Sequence, residues 1–392
     1  MLNRPIGGMI AFLSLAAFPA TFLVQAAAPI PRSPGLGEPR HFRVGAAPAS
    51  VAIADVNRDG KPDLVVANSG SGDATVLLGD GKGEFRPAAG SPFPAGKNPN
   101  DIAVGDFDGN GTLDLAFPNH DTHGVTVLLG DGKGGFRPAA VSPFTVASRP
   151  HPHGIAAGDF NGDSKLDLAV ESWGDNAVEV HFGTGKGSFV SPGRRFAVGQ
   201  MPYQRLRSAD VNRDGKADLL TTNFEGNSVS VLLGDGKGGF TNAPGSPFPA
   251  GRSPFCQAIA DVNGDGKLDI VVGGFSGHPE DPSADGVSVL LGDGKGAFRL
   301  LSGSPFPAGR TPVAVAVGDL NGDGVPEIAV ANMAGDTATV LTRDPNGRYL
   351  RTATIPASGA EAVAIGDLNR DGKGDLVIAA LKSNEILVVL GR

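Results

Sequence analysis

The apolar residues of this chain come in runs of four or five, each fenced by Gly, Asp, Asn or Pro. Runs that short suit β-strands and the fencing residues suit tight turns; helices would need longer stretches of 3.6 periodicity. Residues 51–54, 64–67 and 74–78 are the first three predicted strands. The third ends in Gly79-Asp80-Gly81-Lys82-Gly83, whose glycines supply the positive φ angles of a hairpin. A fourth strand is predicted to start near Phe85 and run through Ser91-Pro92-Phe93-Pro94. Proline cannot donate a ladder hydrogen bond, so this strand belongs at a sheet edge.

The four-strand unit recurs. Between its first and second strands stands the phrase Asp-x-Asn-x-Asp-Gly-x-x-Asp, with small variations, starting at Asp55, Asp106, Asp159, Asp210, Asp261, Asp319 and Asp367. The starts are 51, 53, 51, 51, 58 and 48 residues apart. Such a repeat predicts an all-β fold, a seven-bladed β-propeller of four-stranded blades, with strand A innermost and strand D at the outer edge. The last unit stops at its strand C, residues 386–390. The chain ahead of the first unit carries a spare strand-D phrase, Phe42-Arg43-Val44-Gly45, like Phe196-Ala197-Val198-Gly199 and Phe248-Pro249-Ala250-Gly251. The N-terminal strand is therefore expected to complete the seventh blade and close the ring, leaving only short protected edges.

Positions 1, 5 and 9 of most copies carry carboxylates, position 3 carries Asn or Asp, and position 7 would offer a backbone carbonyl. Oxygen donors alternating along a tight loop suit a hard cation such as calcium. The seven loops hold 21 of the 41 acidic residues, and crowding them without a cation would be repulsive. The start of the phrase is similar to an EF-hand loop, but the Glu that an EF-hand needs at position 12 is replaced by Val66, Phe117, Val170 and the like, and the flanks are strands.

This phrase, between two strands of a repeated four-stranded unit, resembles the FG-GAP and VCBS repeat family, which includes the integrin α-subunit propellers. The resemblance spans residues 40–392. It implies a seven-bladed propeller with up to seven calcium ions in the A–B loops. By position, the ligands implied are Asp55, Asn57, Asp59 and Asp63 in blade 1, and Asp106, Asp108, Asn110 and Asp114 in blade 2. Blade 3 would use Asp159, Asn161, Asp163 and Asp167, and blade 4 Asp210, Asn212, Asp214 and Asp218. Blade 5 would use Asp261, Asn263, Asp265 and Asp269, blade 6 Asp319, Asn321, Asp323 and Glu327, and blade 7 Asp367, Asn369, Asp371 and Asp375. The departures are an exchange of residue types at Asp108 and Asn110, Glu327 in place of Asp, and Ser164 in place of the position-6 Gly. Ser164 should make blade 3 the weakest site, because a left-handed residue other than Gly costs about 1–2 kcal/mol.

Composition agrees with this reading. There are 59 Gly and 31 Pro among 392 residues, while 40% hydrophobic residues argue against disorder. The formal charge of −8 becomes −9 without Arg4, and seven divalent ions would bring it to +5, so acidity says little about partners. Arg4, the apolar run 10–24 and the small residues around Ala26 and Ala28 read as an export signal. The expected organisation is a signal peptide over 1–26, a linker over 27–39 and the propeller over 40–392. The protein would be secreted, extracellular or periplasmic, with no stable membrane span after cleavage. One cysteine, Cys256, excludes an internal disulfide framework. Gly130, Gly132 and Gly135 match a dinucleotide glycine pattern but join two strands with no helix after them. No nucleophile-elbow or zincin motif occurs, and there is no basic stripe for nucleic acid.

Function is therefore expected on the face opposite the Asp loops, formed by the B–C loops and D–A connections. Trp173, His120, His123, Phe224, Phe275 and His278 fall in B–C loops there, and His151, His153, Tyr203 and Phe255 in D–A connections. A non-catalytic adhesion or ligand-binding module, for an extracellular protein or glycan, is the expected class, in a monomer. The alternatives are a carbohydrate-binding lectin, and a hydrolase or lyase in which the histidines bind a metal. On strand A, facing the channel, blade 4 alone carries two arginines, Arg205 and Arg207, where other blades have mostly small residues. They need a counter-charge, Glu171 or Asp101, or an anionic ligand flanked by Tyr203 and Trp173.

Overall fold

The computed structural model describes residues 35–147, 151–274 and 285–392. The expected signal peptide, most of the linker, and Phe275 and His278 lie outside the described residues. Seven antiparallel sheets form, each of four strands in the order A-B-C-D, some with a short extra strand on C. Blade 1 shows the plan: Pro48–Ala54, Asp63–Asn68, Asp73–Gly79 and Phe85–Pro87. Strand B is wholly buried in every blade, from Asp63–Asn68 to Asp375–Ala380. Its near-continuous apolar run follows, because blades cover both of its faces. No helix among the described residues is long and apolar enough to cross a membrane.

Strand D differs from the continuous strand predicted. In blade 1 it is two pieces, Phe85–Pro87 and Phe93–Pro94, both paired with strand C. Between them the Ser91 hydroxyl accepts the Val76 N–H at 2.9 Å. Ser142, Ser246 and Ser304 do the same for Val127, Val231 and Val289. A side-chain oxygen thus satisfies strand C where the proline-bearing chain has left the ladder.

The two pieces of strand D serve two neighbours. The late phenylalanine of one blade meets the early aromatic of the next, edge to face: Phe93–Phe136, Phe248–Phe298 and Phe306–Tyr349 at 5.5, 5.6 and 5.3 Å between ring centroids. Phe196–Phe240 and Phe42–Phe85 repeat the contact at 5.1 and 5.4 Å, and Phe144–Phe189 makes a tilted version at 5.3 Å. At the remaining junction Ile355 is part of a buried core cluster against which Leu36 packs.

Ring closure is by the N-terminal strand. Arg40–Arg43 pairs antiparallel with the last strand, Arg40 opposite Val388 and Arg43 opposite Glu385. The closing segment begins earlier than Arg40, inside the stretch read as linker: Leu36 bridges Gly391, and Gly37 N–H donates to Leu390 O at 2.8 Å. Leu36 stands where the early strand-D aromatic stands in other blades, so blade 7 also has a split strand D.

Position 9 of the phrase is the common anchor. All seven position-9 carboxylates are 0% exposed. In blade 1 Asp63 accepts the Val56 N–H at the end of strand A (3.0 Å) and the Gly79 N–H at the end of strand C (2.8 Å). The same pair of bonds is made by Asp114, Asp167, Asp218, Asp269 and Asp375. The strand-C glycine is required because a Cβ at Gly79 would lie 2.1 Å from the Pro62 carbonyl oxygen. Position 2 is apolar in every copy and buried, from Val56 and Phe107 to Leu368, so each loop is nailed to the core one residue after its first carboxylate.

Removing residues 35–45 should open the ring and expose strand C of blade 7 as an unpaired edge. The expected outcome is aggregation or a clearly lower melting temperature, whereas a chain starting at residue 35 keeps native stability. Equal melting of the two chains by calorimetry would contradict the closure.

Candidate functional site

The Asp loops gather on one face. In blade 1 Asp55 accepts the N–H groups of Asp59 and Gly60 at 3.1 and 2.8 Å, and Asn57 Oδ1 accepts Asp59 N–H at 2.9 Å. The position-5 carboxylate turns to the position-7 lysine, Lys61 Nζ lying 3.2 Å from Asp59 Oδ2; blades 3, 4 and 5 repeat this. Burial, and then the carboxylates at positions 1 and 5, hold the position-9 acids above their ordinary range: Asp167, Asp218 and Asp269 are pushed up to about 6, and Asp63 is raised. In blade 2 Asp108 replaces Asp59 in this role, and Asp114 is also pushed up to about 6. Among the described residues no lysine or arginine pairs with a position-1 or position-9 carboxylate. In blade 2 carboxylate oxygens of Asp106, Asp108 and Asp114 lie within 4.8 Å of one another. An all-oxygen donor set with unbalanced, partly buried negative charge fits a hard divalent cation.

Strain does not single out blade 3. Ser164 has φ +64°, in the left-handed region occupied by the position-6 glycines. Position 4 is left-handed as well, and there Arg58, Arg213 and Arg370 have φ +61°, +62° and +63°. Blades 1, 4 and 7 therefore each carry one strained residue too. Arg370 spans to blade 1, its Nη2 donating to Gly60 O at 2.5 Å. Blade 6 differs for another reason. Its strand C ends in Arg343 where other blades have Gly, and no strand-C N–H reaches the acid. Glu327 takes the Leu320 N–H at 2.9 Å and, with its extra methylene, the Asn321 Nδ2 at 2.9 Å. Glu327 is pushed up to about 7 by burial and by Asp323 and Asp319.

On the opposite face the residues expected there converge. Trp173, Met201, Tyr203, Phe224 and Phe255 line a cavity of about 200 Å³. Tyr203 is the hub, with ring centroids 4.9 Å from Phe255 and 4.2 Å from His153. His120, His151 and His153 cluster beside it, with His120–His151 at 3.8 Å and His151–Trp173 at 5.0 Å between ring centroids. His123 lies in the same loop as His120 but outside this group of three. Met201 was not among the residues expected from sequence.

The channel arginines find their partner within the protein. Arg205 is 6% exposed. Its Nη1 donates to Asp101 Oδ1 at 3.1 Å and Ser50 Oγ at 2.7 Å, and its Nη2 to Ala49 O at 3.1 Å. Arg207 stays partly exposed, 3.8 Å from Asp101 Oδ2. Arg205 has φ +71° and Gln204 φ +46°, which cuts strand A of blade 4 to Arg207–Ala209. Glu171 instead accepts the Thr221 hydroxyl and the Gly154 N–H. A second acid, Glu361, was missed; it is the one carboxylate at a strand-A position held elsewhere by Ala49, Asn100, His153, Gln204, Phe255 and Val313. That contrast was visible in the repeat. Burial pushes both Glu171 and Glu361 up to about 7.

Fold and loops together define a seven-bladed propeller with an Asp-rich turn in every blade. FG-GAP-like repeats match residues 55–117, 118–170, 210–272 and 275–330, more than half of the chain. The chain belongs to the FG-GAP-like repeat family. No curated protein matches it in sequence. Among solved structures it is similar to BBS1N in its complex with ARL6DN, with a TM-score of 0.60 and 12% identity over 92% of this chain and 98% of that one. A functionally unknown protein from Desulfotomaculum acetoxidans gives 0.56 and 13% over 81% and 89%. Virginiamycin B lyase from Staphylococcus aureus gives 0.55 and 12% over 90% and 99%. Identities this low establish the fold alone.

The two channel glutamates set a pH dependence. Between roughly pH 4.5 and 7 the folded protein holds protons that the unfolded chain has released, so their stabilising contribution is full at the acid end and is lost as pH rises to 7. Asp101 adds repulsion to Glu171, while Arg207 and Arg205 offset part of the effect of burial at Glu171 and Glu361 respectively. Glu171→Gln with Glu361→Gln should flatten the fall in stability across this window by about 1–3 kcal/mol, read from denaturant unfolding at pH 5 and 7.5. An unchanged slope would contradict the assignment.

Proposed function

We propose that the protein is a secreted calcium-binding propeller that acts as a non-catalytic ligand-binding or adhesion module. A propeller of FG-GAP-like repeats supports a module of the ligand-binding or adhesion type. The calcium reading rests on one observation above others: the buried position-9 carboxylates, crowded by further acids, have no lysine or arginine partner among the described residues. Calcium would be held by the side chains at positions 1, 3, 5 and 9, and its charge would offset the burial of the last. Because position 9 already ties strands A and C together, the ion's binding energy would be transmitted directly to the blade. Secretion rests on the N-terminal sequence.

The ligand would meet the face away from calcium, where the cavity of about 200 Å³ is walled by Trp173, Met201, Tyr203, Phe224 and Phe255. Its size and aromatic lining suit one ring of a ligand, a sugar ring of an extracellular glycan or an aromatic side chain of an extracellular protein.

Excess chelator followed by dialysis should lower the melting temperature strongly. At a hundredfold excess over Kd each site adds about 2.7 kcal/mol. A melting curve indifferent to chelation would sink the calcium reading.

Binding to glycan and extracellular-protein arrays should be lost in Trp173→Ala while calcium-dependent melting is kept. A Trp173→Ala chain that binds as the wild type does would move the ligand site elsewhere.

A further inference from the structure

We propose that His120, His151 and His153 form a three-histidine site for one divalent first-row transition ion, best matched by zinc, on the face opposite the Asp loops. The site stands independently of the calcium reading. One ring nitrogen from each of the three residues can be chosen so that all lie within 4.8 Å of one another. Tetrahedral zinc would draw nitrogen donors to roughly 3.3 Å apart, a closure within reach of small χ adjustments.

The surrounding groups prepare the rings for a metal. His120 Nδ1 lies 3.0 Å from Asp121 Oδ1, so its proton is held there and Nε2 keeps the lone pair. Asn98 Nδ2 donates to the same Asp121 oxygen at 3.1 Å. At His153 the Asn100 amide is satisfied when its nitrogen faces the carbonyl oxygens of His153 and Pro118, both at 3.1 Å. Its oxygen then lies 3.4 Å from His153 Nδ1, which again leaves Nε2 as the lone-pair nitrogen. Ligand histidines in metal sites carry such partners, which fix tautomer and ring orientation.

Two of the three rings carry a nitrogen with no hydrogen-bond partner. His153 is 1% exposed, and its Nε2 is buried without a hydrogen-bond partner. His151 Nδ1 is buried and unpartnered too. Leaving a buried polar atom unsatisfied costs about 1–3 kcal/mol, and two side by side in one cluster call for a shared occupant. Water could satisfy one acceptor, but three converging imidazoles with no acidic ligand among them match the nitrogen preference of zinc and its neighbours in the series, and are wrong for calcium.

Three protein ligands leave a fourth position open. Trp173 borders it, 5.0 Å from His151 between ring centroids, with a buried, unpartnered Nε1–H that could donate to an oxygen on the metal. Tyr203 lies against His153 in a tilted ring contact, so the open position adjoins the aromatic cavity. A ligand there would combine one ring with one oxygen donor, such as a carboxylate or a sugar hydroxyl.

The test uses the untagged mature chain, stripped of divalent ions and returned to saturating calcium, so that the Asp loops cannot compete. Titration with cobalt should produce the visible ligand-field bands of a four-coordinate ion with one equivalent bound, and zinc should displace it. His120→Gln and His151→Gln should each weaken cobalt binding at least tenfold, and Asp121→Asn, a positioning change, by about 10–100-fold. His41→Gln, remote from the cluster, should leave it unchanged. Absence of a stoichiometric cobalt complex would overturn the proposal. So would cobalt binding that persists unchanged in His120→Gln and His151→Gln, which would mark it as adventitious.

Discussion

The buried carboxylate at position 9 is the constraint on which each blade depends. It lies at the start of strand B and is shielded from water; it accepts one N–H from the end of strand A in every blade and another from the end of strand C in all but blade 6. Three strands are thereby pinned at one end by one residue. The geometry explains other features of the repeat. Position 2 must be apolar because its N–H is drawn inward to the acid. Strand C must end in glycine because its backbone passes too close to the carbonyl before the acid for a Cβ. The one blade without that glycine, blade 6, also has the one longer acid, so Arg343 and Glu327 read as a coupled pair of changes. Burying a charge is costly unless something balances it, which links the anchor to the cation proposed for every loop.

Between blades the glue is different. Aromatic pairs from the two halves of strand D join six of the seven junctions. At each of these six, one blade gives a late ring to the next blade's early one, which only works if strand D is split. The seventh junction falls where the chain ends meet, and the rings are replaced by Ile355 and Leu36. Closure thus uses the same contacts as any other junction, though the strand comes from the far end of the chain.

Much of this was legible in the sequence because a repeat averages out local ambiguity. Blade number, strand order and closure could be read from seven copies of one phrase and a spare Phe-Arg-Val-Gly. The division of strand D was not, because Ser91-Pro92 looks like an edge strand until the Ser91 hydroxyl is seen satisfying strand C. Leu36 was hidden for a related reason: a lone apolar residue among Pro and Gly has no pattern, and only its bridge to Gly391 reveals the role. The left-handed position 4 was masked by Arg58, Arg213 and Arg370, long side chains where glycine would have given the signal. On the opposite face, residue types and the loops carrying them were readable. Their convergence was not, since His120 and His153 come from different blades and meet only through the ring.

Symmetry also shows where to look for chemistry. Seven blades built to one plan need no particular residue to differ, so departures that the fold does not require point elsewhere. Glu327 is excused by Arg343, and Leu36 by the chain ends. The departures left over fall mostly in blades 2 to 4: the three histidines, Trp173, Tyr203, Glu171, and the two strand-A arginines of blade 4. Several carry a fold penalty, in unpartnered buried nitrogens and in the left-handed Gln204 and Arg205. Nothing in the blade plan calls for these unpartnered nitrogens or left-handed residues. Their clustering on one arc, at the end of the propeller away from the Asp loops, is the physical ground for placing calcium and ligand on opposite faces. One set of loops would hold the ring rigid, and the other would be free to depart from the plan.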